Sequence, residues 1–183
     1  MHYSRFSVIP AVFSLLFSNA IQADSVRDTE KYFFDESWGN FKEELSNAKE
    51  QNKKGILIFF EMDECPFCFY MKNNVLNRSA VQDYYHKNFR IFSVDIEGDL
   101  EVVNMKGKPM RQKDFAFKEN RVRATPVIAF FNLDGKRVFR HTGKTAGVEE
   151  FMWMGQYVAE GVYKDMSFTR YKRMMRKQAK KTQ

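Results

Sequence analysis

The chain has 183 residues, of which 44% are hydrophobic and 19 are Phe, and its formal net charge is +7. This length and composition suit one domain with a substantial core, and they exclude an intrinsically disordered chain. Eight basic residues and one acidic residue after position 163 account for the whole net charge, so the near-neutral remainder argues against a broad nucleic-acid-binding face.

The first 23 residues are typical of a secretory signal peptide. Arg5 precedes an apolar run over residues 6–17, and small residues suited to cleavage follow at Ala20 and Ala23. The run is shorter than the roughly 20 residues that a membrane-spanning helix needs. We therefore predict a signal peptide over residues 1–23 and a location in a bacterial periplasm. A buried N-terminal helix and an uncleaved anchor are the alternatives.

An amphipathic helix is predicted over residues 38–52. Trp38, Phe41, Leu45 and Ala48 recur there at helical spacing, with charged residues between them. These four side chains are therefore expected to pack on a sheet.

Two segments predict strands of the core. Residues 55–61, GILIFFE, form an apolar run without alternation, which suits a strand buried on both faces. Residues 89–98 form the second strand, with a β-favouring composition. Between them, PFCFYMKNNVL predicts a helix that begins at Pro66, and Ser79 is expected to cap the next helix.

The second half of the chain continues with hairpins and helices. The pattern first predicts a hairpin over residues 100–112 that turns at Gly107, and then a short helix over residues 113–122. A second hairpin follows, with strands over residues 127–133 and 136–141 and a turn at Asp134-Gly135. A helix over residues 146–161 comes after it. This order predicts an α/β fold, with a mixed central sheet and helices on both faces.

Cys65 and Cys68 are the two cysteines of the chain, and they directly follow the first predicted strand. Their three-residue offset at the start of a helix places both sulfurs within one turn. Cys65 would lie near unpaired N–H groups and the positive end of the helix dipole, which favours its thiolate. Such a thiolate can attack a disulfide in a partner, and Cys68 can then resolve the mixed disulfide. The pair therefore indicates redox chemistry.

A cysteine pair can also hold zinc, attach haem or form a structural disulfide. A zinc site needs about four ligands, and the chain has no second cysteine pair. Haem attachment requires a His directly after the second cysteine, where Phe69 stands. A structural disulfide is the more serious alternative, although so small a loop stabilises a fold weakly. We predict no metal and no cofactor.

The strand, the Cys-x-x-Cys pair that opens a helix, and Thr125-Pro126 at the start of a later strand together resemble the thioredoxin fold. More narrowly, the chain resembles periplasmic thioredoxin-like proteins of the SoxW type, which are linked to sulfur oxidation. The leader, the hairpin excursion and the segments FFEMDECPFCFYMK and RVRATPVIAFFNLDGKRV carry this resemblance, which covers residues 38–160. It implies a thioredoxin-like domain over residues 24–163 with a hairpin insertion.

The resemblance also implies roles for particular residues. Pro126 would be in the cis form beside the cysteines, and the backbone of Thr125 would pair with a bound substrate. The protein would reduce disulfides of periplasmic partner proteins and take its electrons from a membrane thiol carrier. An oxidase, an isomerase, and a non-catalytic binding module with a structural disulfide are the alternatives.

The sequence departs from thioredoxin around the cysteines. Phe59 stands where thioredoxin has a buried acid, and Phe cannot accept a proton. Glu61 is therefore the nearest candidate proton acceptor for the second cysteine. The alternative is that Glu61 is a simple solvated or hydrogen-bonded carboxylate. Asp63 and Glu64 place negative charge beside the first cysteine, which opposes the helix dipole. Phe67 is either a contact surface for a partner or a core residue. The Cys-Pro-Phe-Cys motif also resembles glutaredoxins, but the Gly-Gly element that holds glutathione there is missing.

Residues 164–183 form a basic C-terminal tail. Tyr171, Met174 and Met175 recur among its basic residues at helical spacing. We predict a partly frayed, solvated terminal helix. The alternative is weak contact of this helix with an anionic membrane surface or an acidic partner.

Overall fold

The computed structural model describes residues 25–181, so the predicted signal peptide lies outside the described residues. The helices are α1 (Thr29–Tyr32), α2 (Phe41–Glu50), α3 (Pro66–Asn74), α4 (Ser79–Asn88), α5 (Gln112–Asp114), α6 (Val148–Ala159) and α7 (Phe168–Ala179). The strands are β1 (Gly55–Glu61), β2 (Phe89–Asp95), β3 (Glu101–Val103), β4 (Pro109–Arg111), β5 (Val127–Asn132) and β6 (Arg137–Thr142). A π-helical turn, Phe115–Glu119, follows α5, and a 3₁₀ turn, Val162–Lys164, precedes α7.

The longer strands form one mixed sheet in the order β2-β1-β5-β6. β1 runs parallel to β2 and antiparallel to β5, and β5 runs antiparallel to β6. β1 is buried from Gly55 to Phe60 because it is a central strand that is covered on both faces. The prediction of a mixed α/β sheet with helices on both faces is confirmed.

The sheet separates two apolar layers. In β1, Leu57 and Phe59 face the layer that holds α3, α4 and α6, whereas Ile56, Ile58 and Phe60 face the layer of α2 and the π-helical turn. Successive strand residues point to opposite faces of a sheet. The continuous apolar strand β1 therefore contributes buried side chains to both layers.

The predicted hairpin insertion is present as β3 and β4, which pair antiparallel to each other outside the main sheet. Gly107 lies in its turn with φ +86°, a left-handed conformation that glycine adopts without a steric penalty. The Asn104 side chain accepts hydrogen bonds from the backbone N–H groups of Lys106 and Lys108, both at 2.9 Å. These bonds close the turn locally.

Two local expectations differ from the structure. α2 begins at Phe41, and the Trp38 side chain is fully exposed instead of buried. The Asn40 side chain caps this helix by accepting a hydrogen bond from its first turn, so the helix starts later than the hydrophobic spacing suggested. Ser79 is the first residue of α4 and not its cap, and its hydroxyl accepts a hydrogen bond from the Ser25 N–H at 2.9 Å.

The basic tail contains an ordered helix, α7. Ser167 caps it by accepting a hydrogen bond from the Arg170 N–H at 3.4 Å. Tyr171 is buried, and the partly buried Phe168 and Met175 pack on the same core as α6. Contrary to the expectation of a solvated tail, the inner face of α7 therefore belongs to the core.

Candidate active site

The cysteines lie where the chain leaves β1 and enters α3. Cys65 is the residue directly before α3, and Pro66 occupies the first helical position. Proline suits that position because the first-turn N–H groups have no intrahelical partner. Cys68 follows within the first turn of α3, so one helix start positions both sulfurs.

Cys65 and Cys68 form a disulfide bond. Both side chains are largely buried, with exposed fractions of 6% and 3%. The Cys65 sulfur also accepts a hydrogen bond from the backbone N–H of Cys68 at 3.0 Å. In the reduced protein this N–H and the positive end of α3 would both favour negative charge on the Cys65 sulfur. The geometry thus suits Cys65 as the attacking sulfur.

A pocket of about 190 Å³ opens beside the disulfide. Its lining includes both cysteines and four charged residues, Glu61, Asp63, Asp95 and Lys72. Met62 and Phe69 supply apolar lining, so the pocket beside the cysteine pair is partly charged and partly apolar. In the described part of the chain, no cluster of three or more His, Cys, Asp or Glu side chains could hold a metal ion.

Glu61 lies at the end of β1, inside this pocket. Its Oε2 atom is 2.6 Å from Lys72 Nζ, and its Oε1 atom accepts a hydrogen bond from the Ser93 hydroxyl. Lys72 Nζ also lies 2.7 Å from Glu30 Oε1. The Glu61 side chain is only 16% exposed. The structure therefore places Glu61 next to the cysteines as a hydrogen-bonded carboxylate that is fixed on both sides.

Lys72 is the basic residue of this pocket, and sequence reasoning missed it together with Asp95. Burial lowers the pKa of Lys72, but its hydrogen bonds and attraction to Glu30 and Glu61 outweigh that effect and hold the pKa above its usual value. Lys72 is therefore positively charged at neutral pH. Its place four residues after Cys68 was a usable signal, since residues four apart share one helix face.

The Thr125–Pro126 peptide bond is cis, as the resemblance implied. Pro126 directly precedes β5, in which Val127 pairs with Phe60 of β1. Since the two strands are antiparallel, the Thr-Pro turn lies at the end of β1 from which the chain continues to Cys65. The turn does not line the 190 Å³ pocket, and the buried Thr125 hydroxyl oxygen has no hydrogen-bond partner within residues 25–181. The turn and the pocket share one end of the sheet.

Aromatic side chains next to the disulfide are exposed to solvent. Phe67, which lies between the cysteines, is 53% exposed, and Phe69 is 72% exposed. Of the two interpretations of Phe67, packing in the core is therefore wrong. Lys144 Nζ lies 4.2 Å from the ring centre of Tyr70 and 5.8 Å from that of Phe67. The disulfide is thus bordered by an apolar surface with one cation.

Comparison with known families decides the assignment of the fold. A family model described as a thioredoxin-like domain matches residues 41–159, from the start of α2 to the end of α6. The chain belongs to this thioredoxin-like family. The predicted fold class is thereby confirmed, and the matched segment includes both cysteines and the Thr125-Pro126 turn.

The disulfide bond reductase DsbH of Chlamydia pneumoniae is a distant homologue of this thioredoxin-like chain. The two are 25% identical over 104 residues, which are 56% of this chain and 60% of the relative. The matched stretch thus spans less than two thirds of that relative. This chain shares with the family a Cys-x-x-Cys disulfide of the active-site type.

Two solved structures are similar in fold. A thioredoxin-fold protein from Helicobacter pylori is 21% identical with a TM-score of 0.55, over 66% of this chain and 83% of that chain. A DsbH oxidoreductase is 19% identical with a TM-score of 0.53, over 71% of this chain and 88% of that chain. At these identities the two structures show the fold alone. The comparisons support a thioredoxin-like protein, but they do not show that it is of the SoxW type.

Proposed function

We propose that the protein is a thiol–disulfide oxidoreductase that reduces disulfide bonds in partner proteins, with Cys65 as the nucleophile and Cys68 as the resolving thiol. The observation that carries this proposal is the disulfide itself, which joins the N-terminal end of α3 to its first turn beside a pocket with charged lining. A disulfide that closes so short a loop contributes little to stability. A role in thiol–disulfide exchange therefore explains the cysteine pair better than a role in stabilising the fold.

The reduced protein acts in two steps in this proposal. The Cys65 thiolate attacks one sulfur of the partner's disulfide, which breaks; a mixed disulfide forms, and the released partner sulfur takes up a proton. Cys68 then loses its proton and attacks the Cys65 sulfur. The Cys65–Cys68 disulfide closes as the bond between Cys65 and the partner breaks, and the second partner sulfur leaves and takes up a proton. Two electrons and two protons have passed to the partner.

We assign to Glu61 the acceptance of the Cys68 proton. Glu61 lines the same pocket as Cys65 and Cys68. A free negative charge there would oppose formation of the Cys68 thiolate, and the Lys72 ammonium at 2.6 Å offsets that charge. Lys72 and Ser93 also hold the carboxylate in one orientation. They are positioning residues for Glu61.

Partner binding is assigned to the Thr125-Pro126 turn and to the aromatic surface around the cysteines. The resemblance supports pairing of the Thr125 backbone with an extended segment of the partner. The exposed rings of Phe67 and Phe69 supply apolar contact area next to the disulfide. An exposed apolar patch of this kind is typical of a protein–protein contact.

We further propose that the reaction takes place in a bacterial periplasm, in a protein of the SoxW type. The signal-peptide pattern of residues 1–23 supports the location. The name of the Chlamydia pneumoniae relative, a disulfide bond reductase, supports reduction as the direction. Each turnover leaves the pair oxidised, so the protein needs an electron donor. A membrane thiol carrier is the donor that we propose.

The reduction potential of the Cys65–Cys68 pair tests the direction. The protein is equilibrated in thiol–disulfide buffers of graded potential, and its oxidised fraction is determined by alkylation and mass spectrometry. We expect a value near the reducing end of the thioredoxin-like range, about −270 mV. A value near about −120 mV would make the pair a donor of disulfides and would contradict reduction. A Cys68→Ser variant is the control, because it cannot form the internal disulfide.

A further inference from the structure

The outward face of α7 is a continuous basic surface. At about 100° per residue, Arg170, Arg173, Lys177 and Lys180 lie on the side of the helix opposite its buried inner face. All four side chains are exposed, and α7 contains no acidic residue. We call these four residues the basic face.

Packing fixes the direction in which the basic face points. On the inner side of α7, the rings of Phe168 and Tyr171 lie 5.3 and 5.5 Å from the ring of Tyr157 on α6. Lys172, at the edge of the inner side, forms an ion pair of 2.6 Å with the buried Glu150. Rotation of α7 would break these contacts. The four cations are therefore held on the outside of the domain.

The basic face has no anionic partner within the described residues 25–181. Lys172 is the cation of α7 that pairs with a carboxylate there, and the four residues of the basic face do not. A rise of about 1.5 Å per residue places the four charges within roughly 15 Å along the helix, where they repel one another. The chain before position 164 is close to neutral. The positive charge is thus concentrated where an external anion can reach it.

The shape of the basic face favours a flat, extended anion. It is the convex side of a single helix, and its members are long, flexible Lys and Arg side chains. No aromatic residue belongs to the basic face, so it lacks the stacking platform that proteins use for single-stranded nucleic acids. Clusters of Lys and Arg on an ordered helix match the diffuse negative potential of anionic lipid headgroups.

We propose that the basic face of α7 docks the protein on the surface of an anionic phospholipid bilayer. The docking is electrostatic, since the apolar side of α7 is occupied by the core and is not free to enter the lipid. Within residues 25–181, no helix is long and apolar enough to cross a membrane. This proposal does not depend on the redox chemistry. Docking of this kind would, however, hold the protein at the surface where a membrane thiol carrier lies.

Co-sedimentation with vesicles tests the proposal, using the chain from Asp24 onward, which contains every described element. The vesicles are either pure phosphatidylcholine or an equimolar mixture of phosphatidylcholine and phosphatidylglycerol. Changing Arg173, Lys177 and Lys180 together to Gln is expected to lower binding to the anionic vesicles by about 100-fold. Salt at about 1 M, where the screening length is about 3 Å, is expected to abolish binding of the unaltered chain.

A second triple variant controls for net charge. Lys49, Lys106 and Lys136 are exposed lysines outside α7, and changing them to Gln removes the same charge from the body of the domain. This variant is expected to bind anionic vesicles as tightly as the unaltered chain. Circular dichroism shows whether each variant is folded.

Three outcomes would overturn the proposal. The first is equally tight binding to neutral and anionic vesicles, and the second is an equal loss of binding in both triple variants. The third is failure of the unaltered chain to bind anionic vesicles; binding to immobilised polyglutamate through the basic face would then identify an acidic protein as the partner. None of these outcomes bears on the reduction potential, so the two proposals can fail separately.

Discussion

Replacing Cys65 by Ser is expected to lower turnover of a disulfide substrate to the uncatalysed background, a loss of at least about 1000-fold. A serine hydroxyl is not ionised at neutral pH and cannot form a mixed disulfide with the partner. Cys68 is not expected to take over the attack, because it lies inside the first turn of α3, whereas the Cys68 N–H and the positive end of the helix favour negative charge on the Cys65 sulfur. Reduction of insulin disulfides, with dithiothreitol as the electron source, measures the rate.

The matched control for this variant is Asn74→Ser, at the exposed C-terminal end of the same helix. It makes a small change in α3 without touching the sulfurs, and turnover is expected to stay unchanged. Turnover that persists in the Cys65→Ser variant would contradict the catalytic assignment. The Cys65–Cys68 bond would then be a structural feature of a binding module.

Replacing Phe151 by Ala is expected to lower the free energy of unfolding by about 3–5 kcal/mol. The Phe151 ring is fully buried and stacks on the Tyr85 ring, with 4.4 Å between ring centres and 11° between planes. The Tyr85 hydroxyl donates a hydrogen bond of 2.6 Å to the Phe151 carbonyl oxygen, which ties α4 to α6. This bond resists collapse of the neighbouring helices into the vacated space, so the cavity persists. Urea unfolding with the disulfide intact measures the loss.

Met152→Ala, at the next position of α6, is the control for this prediction. Met152 is only partly buried, so its truncation leaves a smaller cavity and is expected to destabilise the fold less than Phe151→Ala. Equal losses in the two variants would contradict the view that the Tyr85–Phe151 stack is a centre of the core.

The central strand and the cysteine helix could be predicted from the sequence because their signals are local. The apolar segment GILIFFE has the bounds of β1, and Pro66 marks the first residue of α3. The Asp134-Gly135 pair likewise lies in the turn between β5 and β6. In each case the deciding residues stand within a few positions of one another, where a sequence pattern displays them.

The start of α2 shows how one local signal overrides another. Trp38 has the spacing of the buried face, but the Asn40 side chain provides a cap that begins the helix at Phe41. Trp38 is then left outside the helix and fully exposed. Hydrophobic spacing alone does not identify the first residue of a helix, since capping contributes a comparable free energy.

The charged network of the pocket could not be predicted, because it joins segments that are distant in the chain. Lys72 on α3 meets Glu30 in α1 and Glu61 in β1, and Ser93 in β2 binds the same Glu61. The parallel pairing of β1 with β2 brings Glu61 and Ser93 together, and no local sequence pattern indicates that pairing. The docking of α7 depends in the same way on tertiary contacts, such as the Lys172 ion pair.

The cis Thr125–Pro126 turn could be expected only through the resemblance to thioredoxin. A Thr-Pro pair is too short to indicate a site by itself, and its place at the cysteine end of the sheet depends on the antiparallel pairing of β1 with β5. The thioredoxin-like family is confirmed by the match over residues 41–159, whereas the SoxW type stays a proposal. Family resemblance thus supplied the cis turn that residue patterns could not.

The central claim is that Cys65 attacks a partner's disulfide and Cys68 resolves the product. The most direct test is the intact mass of a Cys68→Ser variant after incubation with a disulfide-bonded partner protein. Since Cys65 is then the one cysteine left in the chain, the account predicts a covalent one-to-one adduct through Cys65 that dithiothreitol releases. Absence of the adduct, under conditions in which Cys65 reacts with oxidised glutathione, would contradict the account. So would an equal adduct through Cys68 in the Cys65→Ser variant.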